Sequence, residues 1–91
     1  NEDLSGVMLD GADFENSWFC DATFNGASLR GASFRQCNVK CASFVGADLT
    51  NANFELALIE SIDLEKAALS GVRYVGASYC GVTLAENDRF S

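Results

Sequence analysis

The sequence predicts an all-β solenoid, a four-sided parallel β-helix of slightly over four coils. Three observations carry that prediction. A large apolar residue recurs at every fifth position from Leu4 to Leu84. The residue two before it is small, and ten of the sixteen such positions from Val7 to Val82 are alanine, so the walls can approach closely. All eight glycines lie two residues after a large apolar position, a single phase of the five.

A period of five fits neither standard element. On a helix, positions five apart rotate by about 140° each time and wrap around every side. On a flat strand they alternate between faces. All the large residues share one core only if the chain bends once per repeat. The bend falls at the glycines, with Asn16 and Asn51 in the same phase. Glycine and asparagine best tolerate the positive φ that a tight turn requires there. From Leu56 to Lys66 this phase holds no glycine, which predicts a different turn type in that stretch.

Stacked positions should match, and this sets the number of sides. Sorting the large residues by twenty gives one column of Leu9, Leu29, Leu49 and Leu69 and another of Phe14, Phe34, Phe54 and Tyr74. Sorting by fifteen mixes types in every column. The outward charges agree with twenty: Glu15, Arg35 and Glu55 alternate, Asp10 lies over Arg30, and Lys40 lies over Glu60. Stacked strands are ~4.8 Å apart, where opposite charges are mildly favourable.

Composition narrows the function classes. The chain has 91 residues, one domain, with 13 acids against 6 bases and a net charge of −7. That balance argues against direct binding to nucleic acid or to an anionic membrane, which need clustered Lys and Arg. No apolar run is long enough to span a bilayer. The start at Asn1, in mid-pattern and without Met, suggests a processed protein or a segment of a larger multidomain chain. The absence of histidine removes the commonest general base and metal ligand. The absence of proline suits a coil whose backbone N–H groups are paired.

Of the four cysteines, Cys37 falls at a small inward position, where a thiol acts as a small hydrophobe. Cys20 and Cys80 face outward and far apart. Cys20 and Cys41 are the pair able to approach across neighbouring turns, but a reduced, cytoplasmic compartment fits the spacing better than a disulfide scaffold. Cys37 and Cys41 have metal-like spacing, yet one points in and the other sits at a corner, so neither a metal nor a cofactor is expected. The acids spread over all four sides with no nucleophile–base pair, and no enzyme activity is expected.

At this point the residues resemble the pentapeptide-repeat family, whose consensus is Ala-(Asp/Asn)-Leu-x-x. Ala47-Asp48-Leu49-Thr50-Asn51 and Ala52-Asn53-Phe54-Glu55-Leu56 match it, as do Ala12-Asp13-Phe14-Glu15-Asn16 and Ala27-Ser28-Leu29-Arg30-Gly31. The resemblance implies a right-handed quadrilateral parallel β-helix over residues 1–84, with 85–91 as a C-terminal tail or cap. The Phe-rich, Cys-containing stretch Phe34-Arg35-Gln36-Cys37-Asn38-Val39 is similar to the bacterial subgroup that protects DNA gyrase from quinolones. That resemblance implies an acidic DNA mimic with gyrase as its partner. Other family members occupy cyanobacteria and plastid lumens.

The leading expectation is a rigid scaffold or protein-binding module. A charge map weakens the mimic: between Asp21 and Asp48 there is no acid, while Arg30, Arg35 and Lys40 form a basic belt. Departures from consensus mark the candidate contacts. Trp18 and Leu58 both precede a large inward residue and face outward on one side, with Leu56 at the adjacent corner. The pattern breaks after Leu84, and Phe90 either caps the open end or packs against a second molecule in an end-on homodimer.

Overall fold

A computed structural model describes residues 2–78. Every β pairing among them is a parallel bridge between residues twenty apart, beginning with Asp3↔Thr23 and ending with Leu58↔Ser78. Each bridge stands alone, one per side of each coil, so no side is a continuous strand. Four repeats therefore make one turn. Side one carries Leu4, Phe24, Phe44 and Leu64 inward; side two Leu9, Leu29, Leu49 and Leu69; side three Phe14, Phe34, Phe54 and Tyr74; side four Phe19, Val39 and Ile59. The expected total of slightly over four coils includes residues 79–84, outside the described residues, as does the tail 85–91 with Phe90.

The core follows the period of five. Phe24, Phe34, Phe44 and Phe54 are at most 1% exposed. On side three Phe34 stacks on Phe54, with ring centroids 4.9 Å apart and planes 4° from parallel. On side one Phe24 stacks on Phe44 at 4.9 Å and 2°. The two columns meet edge-to-face across the axis, Phe34 against Phe44 at 5.7 Å and 88°. Both arrangements bring the positive ring edge or an offset face to the negative π surface. The alanines line the walls between them and are buried from Ala22 to Ala67. In the first coil Leu4, Leu9, Phe14 and Phe19 are only partly buried, because among the described residues they are stacked upon from one side.

In the second coil the backbone hydrogen bonds account for four of the five N–H groups of a repeat. The residue before the large apolar one donates to the preceding coil, as Ser28 N–H does to Val7 O (2.8 Å). The large residue donates to the following coil, as Leu29 N–H does to Asp48 O (2.8 Å). The corner residue does the same, Gly31 N–H to Thr50 O (2.8 Å). The small residue closes the turn, Ala32 N–H to Leu29 O (3.1 Å).

The fifth N–H belongs to the residue after the large one and has no place in the ladder. A side chain satisfies it. Glu15 N–H donates to Asp13 Oδ1 (3.0 Å), Lys40 to Asn38 Oδ1 (3.1 Å), Thr50 to Asp48 Oδ1 (3.1 Å) and Glu55 to Asn53 Oδ1 (2.8 Å). This is the Asx-turn geometry that Asp and Asn favour, and it explains why the repeat prefers them at that position. Where the acceptor is missing, the coil above can supply it: Asp10 Oδ1 takes Arg30 N–H (3.0 Å) and Asn25 Oδ1 takes Val45 N–H (2.9 Å).

The corners overturn the expectation of a second turn type. Leu56 (φ 60°), Ser61 (φ 60°) and Lys66 (φ 63°) adopt the same left-handed conformation as Gly46 (φ 69°). Only the corner residue is left-handed and the turn closes with Ala57 N–H to Phe54 O (3.1 Å) and Ala67 N–H to Leu64 O (3.0 Å), as in a type II turn. A non-glycine residue there costs about 1–2 kcal/mol. The ladder above and below imposes that cost, since any other turn would break the register.

Two glycines separate conformation from space. A Cβ on Gly46 would meet nothing within 4 Å, whereas one on Gly71 would run into Asn51 Oδ1 from the corner above. Gly46→Ala is expected to cost about 1–2 kcal/mol in urea unfolding. Gly71→Ala should cost more, and the excess should vanish in an Asn51→Gly background; persistence of the excess there would contradict the corner contact. The acid side is equally specific. Asp48's carboxyl is held below its ordinary value first by the Thr50 hydroxyl, then by the Thr50 N–H, with Arg30 adding less. A depressed folded pKa contributes stability above the unfolded value of about 3.9 and loses it as pH falls through the folded value. Stability of the wild type should therefore fall more steeply below about pH 4 than that of Asp48→Asn, which keeps the acceptor without titrating. Parallel curves would contradict this.

Candidate functional site

Trp18, Asn38 and Leu58 occupy one column of side four, joined by the bridges Trp18↔Asn38 and Asn38↔Leu58. Trp18 is 76% exposed, while Leu58 is half-buried. Two coils separate them, ~10 Å along the axis. The fold explains why these residues are unusual. Each stands where the repeat prefers Asp, Asn or Ser to accept the turn N–H, and an indole or isobutyl group accepts nothing. The surface gains an apolar group at the expense of a local hydrogen bond.

Leu56 sits at the corner between sides three and four and is 50% exposed. Its side chain lies over the corner below, where a Cβ on Gly76 would collide with Leu56 Cδ2. Leu56 thus also covers backbone of the next coil. Two further apolar residues are exposed: Met8, on side two, and Val75, on side three, whose carbonyl accepts the Leu56 N–H (3.0 Å). Phe90 lies outside the described residues.

The surface charges pair between coils, though not always with the residue twenty away. Arg35 reaches Glu15 (2.7 Å) and Lys40 reaches Glu60 (3.9 Å), as the columns predict. Arg30 does not bind Asp10 through its guanidinium; it crosses to Asp48 (3.1 Å), while Asp10 takes the Arg30 backbone N–H and the Ser28 hydroxyl. Glu55 pairs with Arg73 (3.2 Å) rather than Arg35. The residue eighteen away is as reachable as the residue twenty away, and a long guanidinium takes the freer carboxylate. All four pairs are exposed and contribute about 0–1 kcal/mol each. The basic belt is thereby neutralised from the coils on either side. The first coil keeps Glu2, Asp3, Asp10, Asp13, Glu15 and Asp21 with no base of its own.

The thiols differ sharply. Cys37 is buried, its Sγ–H donates to Phe14 O, and burial pushes its pKa up. Cys20 is half-buried and Cys41 exposed, and both are free thiols rather than the disulfide weighed from the sequence. A shallow open depression at the first coil, bounded by Glu2, Asp3, Ser5, Asp21 and Thr23, gathers three carboxylates without a nucleophile–base pair. Among the described residues no His, Cys, Asp and Glu cluster is arranged to hold a metal ion, and no helix is long and apolar enough to cross a membrane.

Comparison with known proteins agrees with this geometry. The Pentapeptide repeats pattern matches residues 1–26 and 27–65 in eight copies. A pentapeptide repeat protein from the Arabidopsis thaliana thylakoid lumen superposes with a TM-score of 0.91 at 31% identity, covering 97% of this chain and 61% of that one. The plasmid-mediated fluoroquinolone resistance protein QnrB1 gives a TM-score of 0.50 at 31% identity, covering 91% and 43%. A pentapeptide repeat protein from the cyanobacterium Cyanothece gives 0.74 at 23% identity, covering 90% and 53%, a likeness of fold alone. The chain spans less than two-thirds of each of these structures. No curated protein matches the sequence. The matched repeats cover most of the chain and the lumen protein aligns along nearly all of it; the chain belongs to the pentapeptide-repeat family, and its fold is the right-handed β-helix of that family.

Proposed function

We propose that this chain is a non-catalytic, rigid β-helical module of slightly over four coils that binds a protein partner through side four. One observation carries the reading: Trp18 stands 76% exposed at a position where the repeat calls for a small polar acceptor. Large exposed aromatics are costly on a surface without a use and dominate binding where they are buried by a partner. Leu58, in the same column, and Leu56, at the adjoining corner, extend the apolar contact. The end-on homodimer or cap expected of Phe90 falls on the tail 85–91, outside the described residues. The proposed module requires no cofactor and no direct contact with nucleic acid. The compartment is the cytoplasm, with a plastid or cyanobacterial lumen as the alternative that the Arabidopsis relative supports.

A second reading, a DNA-mimicking binder of gyrase, rests on the likeness to the fluoroquinolone resistance protein and on the six acids of the first coil. The pairing of Arg30, Arg35 and Lys40 with acids leaves the second coil near neutral and interrupts a continuous DNA-like potential.

Trp18 is the single tryptophan, so its fluorescence reports on the proposed contact directly. Trp18→Ala should leave stability within about 0.5 kcal/mol and weaken partner capture from extracts of the source cells by about tenfold or more. Recovery of the same partners in the same amounts would reduce the patch to ordinary surface. In a gyrase supercoiling assay, micromolar protein should have no effect; protection of gyrase from a quinolone would replace the first reading with the second.

A further inference from the structure

Side four also brings two thiols together from adjacent coils. Cys20 follows the inward Phe19, and Cys41 holds the corner of the next coil at φ 63°. Asp21 N–H donates to Lys40 O (3.0 Å), which ties the segment holding Cys20 against the one holding Cys41. A ladder spacing of ~4.8 Å with a one-residue offset of ~3.8 Å separates their Cα atoms by about 6 Å, within the range that a disulfide spans without backbone movement.

The direction of the Cys20 side chain agrees with the distance. Asp10 and Asn25 hold the same place in their repeats as Cys20, and both turn their side chains toward the following coil, to Arg30 N–H and Val45 N–H. The same turn would carry the Cys20 sulfur toward the Lys40–Cys41 segment. Cys41 is exposed and meets the solvent freely, whereas Cys37 is enclosed and already donates to Phe14 O.

We propose that Cys20 and Cys41 form a reversible inter-coil disulfide site whose oxidant is a small-molecule disulfide such as oxidised glutathione. The exposed Cys41 thiolate attacks the small disulfide, its S–S bond breaks, and one thiol leaves with a proton. The Cys20 thiolate then attacks the Cys41 sulfur of the mixed disulfide and releases the second thiol. Two protein thiols are oxidised and one small disulfide is reduced to two thiols. The product clamps the first coil, whose large residues are only partly buried, to the second, and fixes the backbone two residues from Trp18. This site is independent of whether Trp18 binds a partner.

Trypsin separates the thiols cleanly: Cys20 falls in residues 1–30, Cys37 in 36–40, Cys41 in 41–66 and Cys80 in 74–89. The reduced full chain, incubated natively with oxidised glutathione and then alkylated, should yield peptide 1–30 linked to 41–66, two hydrogens lighter than their sum and separable by dithiothreitol. Amide exchange in residues 2–21 should slow by about tenfold or more on oxidation. Cys41→Ser should abolish both the link and the slowing, while Cys80→Ser should leave both. Recovery of the two peptides as separate glutathione or alkyl adducts, or of 1–30 linked to 74–89, would overturn the proposal; a link without slowed exchange would overturn the clamp.

Discussion

Parallel pairing at a spacing of twenty residues is the constraint on which the rest of the molecule depends. Each bridge joins a residue to its counterpart one turn on, from Asp3↔Thr23 to Leu58↔Ser78. Once that register holds, every fifth residue returns to the axis, and the side chains stack in four columns. The Phe34–Phe54 and Phe24–Phe44 stacks are products of that register, and their edge-to-face contacts join opposite sides. A slip of one residue would turn the phenylalanines outward. The left-handed corners at Leu56, Ser61 and Lys66 show the register overriding local preference: the ladder dictates a conformation that these residues do not favour alone.

The same register decides which positions are free to carry function. Centres and alanines are committed to the core and corners to the turn. The position before each centre appears exposed and variable, yet it supplies the acceptor for the one N–H that the ladder leaves out. A residue that abandons this duty hands the N–H to water or to the coil above. Trp18 and Leu58 do so in one column, which separates them from the exposed Met8 on side two. The position after each centre takes up that duty only at Asp10 and Asn25, and elsewhere it carries one or both partners of each ion pair and Cys20.

Much of the architecture was legible because the repeat writes each layer of the structure in a separate phase. Alanine at the wall, Phe or Leu on the axis and glycine at the corner are distinct residue types, so the columns of Leu9 and Phe14 stand out in the residue order itself. What resisted reading was set by neighbours in space. Nothing local in Leu56-Ala57-Leu58 announces a type II turn; the hydrogen bonds of Leu56 and Ile59 to the next coil impose it. The choice of Arg30 for Asp48 over Asp10 turns on a diagonal of eighteen residues that column sorting ignores. The candidate site was visible as a break in pattern, but the reason why Trp18 is costly there required the turn N–H to be located first.

Stacked centres, locked by the twenty-residue register, hold the coils together. Urea unfolding of Phe34→Ala tests it most directly, because Phe34 is fully buried and touches rings from both columns. The variant should lose about 3–5 kcal/mol with an unchanged fold type by circular dichroism. A loss below about 1 kcal/mol, the range of an exposed site, would contradict it.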